Sequence, residues 1–216
     1  MIDPAALDAQ NSLMTQPPDI GQQYDVIAEW WQDYHQDSDY GVAGLKRALG
    51  FAGKGRRALD VGCGAGGRLI RRLEARGFDV TGVDASAKMI ELARRNHPNG
   101  RFVQADISDW ESRETFDFIL AWDSLFHLPL NQQAPLLTKL CAMLAEGGVL
   151  LYSFGDANGT HKDRWRGQDF HYSSIGVPQN LEVLRANGMR LQHLERDQFP
   201  EAHVVAIAQK MAVSPS

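Results

Sequence analysis

The chain has 216 residues, of which 44% are apolar and 23% charged, the make-up of a soluble globular domain; 27 acidic against 22 basic side chains give a formal charge of -5. A general nucleic-acid binder needs a basic excess that is missing here. Cys63 and Cys141, the two cysteines, cannot build a disulfide scaffold or a four-ligand zinc site, and no apolar run approaches the roughly 20 residues of a bilayer span. The opening Met1-Ile2-Asp3-Pro4-Ala5 is acidic and has no apolar segment behind it, so no signal peptide and a cytoplasmic location are expected.

Residues 1 to about 20 are polar, with Pro17 and Pro18, and read as a loose arm in which Ala5-Ala6-Leu7 could begin a short helix. Tyr24, Ile27, Ala28, Trp30, Trp31 and Tyr34 recur at helical spacing and predict a helix with an aromatic face. A second helix is expected over Gly41–Leu49, and Gly50–Gly55 reads as a turn. Arg57–Gly62 is a short apolar run ending in glycines, the pattern of a buried strand. A helix over Arg68–Arg76 follows, with Leu69, Ile70 and Leu73 inward, its arginines outward and Gly77 as its stop. Phe78–Asp84 is the next strand. Ser86 caps a helix over Ala87–Asn96 that His97-Pro98-Asn99-Gly100 ends. Strands at Arg101–Gln104 and Phe116–Trp122, a helix over Gln132–Leu144 closed by Glu146-Gly147-Gly148, and a strand at Val149–Phe154 complete the alternation. Residues 155–176 break the rhythm. Pro178–Asn187 returns to helix, and Met189–Glu195 and His203–Gln209 read as two strands with Pro200 in the turn between them. Strands alternating with helices mean βαβ units and a parallel sheet covered on both faces, with right-handed crossovers.

Three strand ends carry chemistry. Asp60-Val61-Gly62-Cys63-Gly64-Ala65-Gly66-Gly67 is a strand-to-helix turn whose glycines let backbone and helix N–H groups approach a ligand closely. Its Gly62, Gly64 and Gly67 also satisfy the dinucleotide-binding spacing. Asp84 ends the next strand, 22 residues after Gly62, where an acid can accept both hydroxyls of a ribose; Ser86 already serves as the cap of the following helix. Asp106, in Gln104-Ala105-Asp106-Ile107, is placed to accept from an exocyclic adenine amine.

Taken with Phe116–Leu128 and Leu144-Ala145-Glu146-Gly147-Gly148, these segments resemble, in order and spacing, the class I S-adenosylmethionine-dependent methyltransferases of the small methyltransferase-domain type, over about residues 22–210. The family's D-x-G-x-G-x-G turn is matched by Asp60, Gly62, Gly64 and Gly66, and its L-x-P-G-G turn by residues 144–148 with Glu146 in place of proline. The resemblance implies a Rossmann-like α/β fold: a seven-stranded, mostly parallel sheet of order 3-2-1-4-5-7-6, strand 7 antiparallel, with helices on both faces. It implies one domain over 1–212: an arm and helical lid (1–50), a cofactor core (55–154), a substrate-side insert (155–176), and a closing helix and hairpin (177–210). It implies S-adenosyl-L-methionine as cofactor, with S-adenosyl-L-homocysteine as product, held by Asp60, Gly62, Cys63, Gly64, Gly66, Asp84, Ala85, Met89, Ala105, Asp106 and Ile107. The resemblance further implies that Met89 packs against the adenine and that Tyr24 closes over the methionine end. The methionine carboxylate suits the backbone N–H groups of Gly62–Gly66, and the ammonium suits carbonyls and Asp60. The sulfonium suits an aromatic face such as that of Trp122, at the mouth of the crevice.

The acceptor is expected to be a small molecule, with no nucleic acid or membrane partner, and the protein a monomer or homodimer. His127 is the candidate catalytic group, with an orienting role as the alternative, and Asp123 a further candidate base. Trp31, Tyr34, His127, His161, His171 and Tyr172 are candidate substrate contacts. Trp122-Asp123-Ser124-Leu125 stands where base and amide methylases carry Asn/Asp-Pro-Pro-Tyr/Phe, and no acid and histidine cluster has metal-ligand spacing. Three readings compete: a protein or RNA methyltransferase using Arg68, Arg71, Arg72, Arg76, Arg94 and Arg95 as a basic face, an NAD-dependent oxidoreductase, and a cofactor-binding protein without transferase activity. Outward arginines offset by acids read more simply as a solvated surface.

Overall fold

The computed structural model describes residues 19–212. The arm, with Ala5-Ala6-Leu7, lies outside the described residues except at its last positions. The strands are β1 (Arg57–Val61), β2 (Asp79–Asp84), β3 (Arg101–Gln104), β4 (Phe116–Ala121), β5 (Leu144–Gly155), β6 (Asn158–Trp165), β7 (Gln168–Ile175), β8 (Met189–Arg196) and β9 (His203–Lys210). The helices are α1 (Ile20–His35), α2 (Val42–Leu49), α3 (Gly67–Glu74), α4 (Ala87–Asn96), α5 (Leu130–Met143) and α6 (Gly176–Ala186), with a single 3₁₀ turn at Leu125–His127.

Four of the five residues of β1 and five of the six of β4 are buried, the near-continuous burial of strands covered on both faces. They form the centre of a seven-stranded sheet ordered β3-β2-β1-β4-β5-β9-β8. β1 to β5 run parallel; β9 is antiparallel to both β5 and β8. Numbered within the sheet alone this is the expected 3-2-1-4-5-7-6. Successive residues of each strand feed opposite cores. Leu59, Val61 and Ile119 pack with Leu136, Leu140 and Tyr152 on the α5 face. Ala58, Phe118 and Leu120 pack with Leu45, Ile70 and Leu73 beneath α2 and α3. The chain leaves β1 toward β2 and β3, then returns to place β4 on the other side of β1. That reversal opens a crevice at the carboxyl ends of the strands.

Two regions depart from the sequence expectation. Glu146-Gly147-Gly148 does not lie beyond the sheet as a helix-closing turn. Phe116 pairs with Leu144 and Phe118 with Val149, so the intervening residues bulge out of β5, with Gly147 at φ +73°. Residues 158–175, unpatterned in sequence, form a hairpin of their own, β6 against β7. Its two-residue turn is Arg166-Gly167, both at positive φ (+50° and +80°), the conformation that matches strand twist. The hairpin stands against α1 through Trp165, which meets Trp30 at 4.9 Å and Trp31 at 5.9 Å between ring centroids.

Candidate active site

The glycine turn after β1 is held open by backbone conformation. Gly62, Gly64 and Gly66 have φ of +70°, +53° and +86°. At Gly62 an added Cβ would come within 2.3 Å of the Ser124 Cβ, so only glycine lets the β1 and β4 ends approach this closely. Asp84 braces the turn from the end of β2. One of its carboxylate oxygens accepts the Gly64 N–H (2.8 Å) and the other the Ser86 N–H (2.8 Å). Asp84 therefore takes part in the turn before α4 as well as in the crevice wall, while the Ser86 hydroxyl accepts the Met89 N–H as the cap proper. Each Asp84 oxygen keeps a lone pair for a further donor.

α1 closes the crevice from above. Gly21 allows the contact, since a Cβ there would lie 2.6 Å from the Ala85 carbonyl oxygen. Asp25 then fastens it: one oxygen accepts the Ser86 hydroxyl (2.6 Å) and the Lys88 N–H (2.9 Å) at the start of α4. Between α1 and the sheet edge remains a cleft of about 360 Å³, within the range of small-ligand sites. Its lining includes every residue expected at a cofactor: Tyr24, Asp60, Gly62, Cys63, Gly64, Gly66, Asp84, Ala85, Met89, Ala105, Asp106, Ile107 and Trp122.

The expected acceptor residues divide. Trp31 and His127 line the cleft. Tyr34 does not; it is 66% exposed and stacks on Trp30 outside. His161 and Tyr172 stack on each other on the hairpin, and His171 meets His127 through its backbone carbonyl, so none of these three lines the cleft. Trp122 lines it but is not at an open mouth: at 8% exposure its indole is wedged between Tyr40, His203 and the glycines at 41 and 44. The arginines of α3 do not all belong to a solvated face, because Arg68 and Arg71 line the cleft.

His127 is fully engaged. Nδ1 donates to the His171 carbonyl (3.2 Å), which leaves Nε2 to accept from the Tyr24 hydroxyl (2.9 Å). Burial lowers its pKa to about 4, so the ring is neutral at pH 7. It ties α1, the hairpin and the end of β4 together. Removing the Tyr24 hydroxyl leaves Nε2 buried without a donor, so Tyr24→Phe should lower stability by about 1–2 kcal/mol, read as the shift in a urea unfolding midpoint. An unchanged midpoint would mean that this bond carries no load.

Two acids of the cleft, Asp60 and Asp84, are perturbed. Asp60 is buried, and burial followed by the nearby Asp84 charge raises its pKa to about 8. Burial also raises Asp84, against the lowering effect of its two N–H donors. Asp123 follows β4 at φ +52°, in left-handed backbone that a non-glycine residue adopts at a cost. It accepts from the Ser153 hydroxyl (2.9 Å) and from His203 Nε2 (2.8 Å), while His203 Nδ1 bonds Asp197. Burial works against charge on His203, but the two carboxylates prevail and raise its pKa. Asp25, Ser153 and His203 are the contributors sequence reading missed. Each acts on a partner 30 to 80 residues away, and no local pattern marks them.

A family model described as "Methyltransferase domain" matches residues 34–202. The chain belongs to the methyltransferase-domain family. Trans-aconitate 2-methyltransferase of Rhizobium etli is 37% identical over 102 residues, 47% of this chain and 39% of that one. Malonyl-[acyl-carrier protein] O-methyltransferase of Enterobacter lignolyticus is 34% identical over 115 residues, 52% of this chain and 45% of that one. The chain thus spans less than half the length of these curated relatives. Among solved structures, the fold is shared with the 1,6-didemethyltoxoflavin-N1-methyltransferase of Burkholderia thailandensis, crystallised with 1,6-didemethyltoxoflavin and S-adenosylhomocysteine. The TM-score is 0.68 at 23% identity, covering 98% of this chain and 92% of that one. It is shared equally with an S-adenosylmethionine-dependent methyltransferase from Clostridium acetobutylicum (TM-score 0.67, 13% identity, covering 88% and 100%).

Proposed function

We propose that this methyltransferase-family protein transfers a methyl group from S-adenosyl-L-methionine to a small-molecule acceptor. The observation that carries the reading is the open cleft at the β1/β4 reversal, with Asp84 in its wall and the positive-φ glycines at its floor. The residues fit the cofactor's charges. Asp84 has lone pairs for ribose hydroxyls. The Asp60 carboxylate accepts no hydrogen bond among the described residues and suits an ammonium. Met89, Ala105 and Ile107 offer apolar surface and Asp106 an acceptor for the adenine. When bound, the cofactor supplies an electrophilic methyl on a sulfonium.

The chain's own contribution is orientation and water exclusion, which supply much of the rate of a displacement. Tyr24 and His127 hold α1 and the hairpin over the cleft. Since both His127 nitrogens are engaged and its pKa is low, the side chain serves better as a positioning residue than as a proton acceptor. Relatives that act on trans-aconitate and on malonyl-[acyl-carrier protein] support an oxygen or carboxyl acceptor over a nucleobase. Single-domain organisation follows from the same reading, with α1 and the hairpin as the parts that close on substrate. Incubation with methyl-labelled S-adenosylmethionine and pooled small metabolites should yield a labelled small product. Label entering only added peptide or RNA would reverse the choice of acceptor.

A further inference from the structure

His203, the first residue of β9, stands between two carboxylates. Its Nε2 lies 2.8 Å from Asp123 Oδ1 at the end of β4, and its Nδ1 bonds Asp197 Oδ1 in the β8–β9 loop. An ionised carboxylate only accepts, so both ring nitrogens must donate and the ring is an imidazolium. Among the described residues neither Asp123 nor Asp197 pairs with any cation but His203. Tyr40, from the link between α1 and α2, also faces the ring, with its hydroxyl 3.4 Å from Nε2 and accepting the Gln198 amide (2.7 Å). Burial and the Asp123 charge keep that phenol protonated. His35 and Arg68 feel the Asp123 charge from across the cleft. The two carboxylates hold the His203 ring charged against the cost of its burial.

Asp123 carries this charge state into the cleft wall. Its N–H donates to the Ser153 hydroxyl (2.8 Å), and that hydroxyl donates to the same Oδ1 that His203 holds. Left-handed backbone at a non-glycine residue persists only where the surroundings over-determine it. Here two strands do so at Asp123, β5 through Ser153 and β9 through His203. The next residue, Ser124, is pressed against the glycine turn, since its Cβ is the atom that excludes a side chain at Gly62. Relaxation of Asp123 therefore moves Ser124 relative to Gly62, and with it the floor of the cleft.

We propose that His203 is a positioning residue: as an imidazolium shared by Asp123 and Asp197, it locks the turn after β4 against the glycine turn and links cofactor affinity to the proton it holds. The identity of the cofactor rests on the methyltransferase reading; the lock itself does not. Its pH dependence is opposite in sign to that of Asp60. Binding that ionises Asp60 is favoured as pH rises toward 8. Loss of the His203 proton leaves one of the two carboxylates facing a lone pair and frees the turn. The His203 contribution is thus present at neutral pH and lost as pH rises through the raised pKa of the ring.

The test uses the full chain, as wild type, His203→Gln and Asp197→Asn, titrated calorimetrically with S-adenosylhomocysteine across a pH series. Glutamine offers one neutral donor and stands in for the deprotonated ring. At pH 6.5 wild type should bind about tenfold tighter than His203→Gln, and at pH 9.5 the two should agree within about twofold. The ionisations of Asp60 and of the ligand are common to both proteins and cancel in the ratio. Asp197→Asn lies outside the cleft lining and keeps the packing while removing one charge, so it covers a glutamine variant that folds poorly. It should bring the loss of affinity about one pH unit lower. Nuclear magnetic resonance of the ligand-free protein reads the lock directly. Both His203 nitrogens should be protonated at pH 7. The Gly62 and Ser124 amide signals should show a step in their pH curves that is absent from His203→Gln and falls at lower pH in Asp197→Asn. Wild type that binds no S-adenosylhomocysteine counts against the methyltransferase reading, and the amide titration then judges the lock. The proposal is overturned if His203 is neutral at pH 7, if the Gly62 and Ser124 signals ignore its titration, or if His203→Gln shows the same deficit at both pH values, the mark of a packing role.

Discussion

Replacement of Asp84 by alanine should reduce S-adenosylhomocysteine affinity by at least a hundredfold while leaving the protein folded. The side chain ends β2 in the cleft wall, where both its oxygens can accept from adjacent hydroxyls, and two charge-assisted hydrogen bonds are together worth about 3 kcal/mol or more. The structural cost is smaller. The Gly64 N–H loses its acceptor but lines a cleft that water can enter, and the buried Ser86 N–H is one neutral donor left without a partner, a cost of about 1–3 kcal/mol. Burial already disfavours the Asp84 charge, so its removal also relieves a penalty. Calorimetric titration beside a thermal melt separates the two effects. Affinity within threefold of wild type, in a variant that melts normally, would show that Asp84 does not grip the ligand.

Asp60→Asn should trade binding for stability. The Asp60 pKa is raised to about 8, from burial first and Asp84 second. The folded state therefore holds a proton that the unfolded chain, with an ordinary carboxyl near 4, gives up. Between about pH 4 and pH 8 the unfolded state binds fewer protons, so Asp60 makes the free protein progressively less stable as pH rises, with the full penalty present above pH 8. Asparagine cannot ionise and removes that slope. The variant should be more stable than wild type by at least about 2 kcal/mol at pH 8.5, with little difference near pH 4. Its affinity for S-adenosylhomocysteine should fall at least tenfold, because the ammonium loses its carboxylate. Urea unfolding at the two pH values checks the first statement. A variant equally or less stable at pH 8.5 would contradict the assigned environment of Asp60.

Much of this was legible because it is local. A short apolar strand, a glycine turn and a helix fall within residues 57–74, and Asp84 and Asp106 mark the next two strand ends by position alone. The hairpin at 158–175 was not legible. β6 is exposed along nearly its whole length, so it lacks the inward-outward alternation by which a half-buried strand is read. Its role depends on Trp165 and Phe170 meeting α1 more than 100 residues away. Arg68 misled for a related reason. Helical periodicity puts it outward from the sheet, and only the placement of α1 and Tyr40 turns that outward face into a cleft wall. Tyr34 shows the converse, an aromatic on the expected helix that the turn of α1 carries out to solvent.

Titration of the wild-type protein at pH 7 with S-adenosylhomocysteine and, in parallel, with NADH tests the central claim most directly. The glycine spacing alone admits both ligands, whereas the paired acids Asp60 and Asp84 favour a nucleoside that carries an ammonium. The account predicts saturable micromolar binding of S-adenosylhomocysteine, accompanied by proton release as Asp60 ionises, and no competition by NADH. Absence of S-adenosylhomocysteine binding at millimolar concentration, or its displacement by NADH, would contradict it.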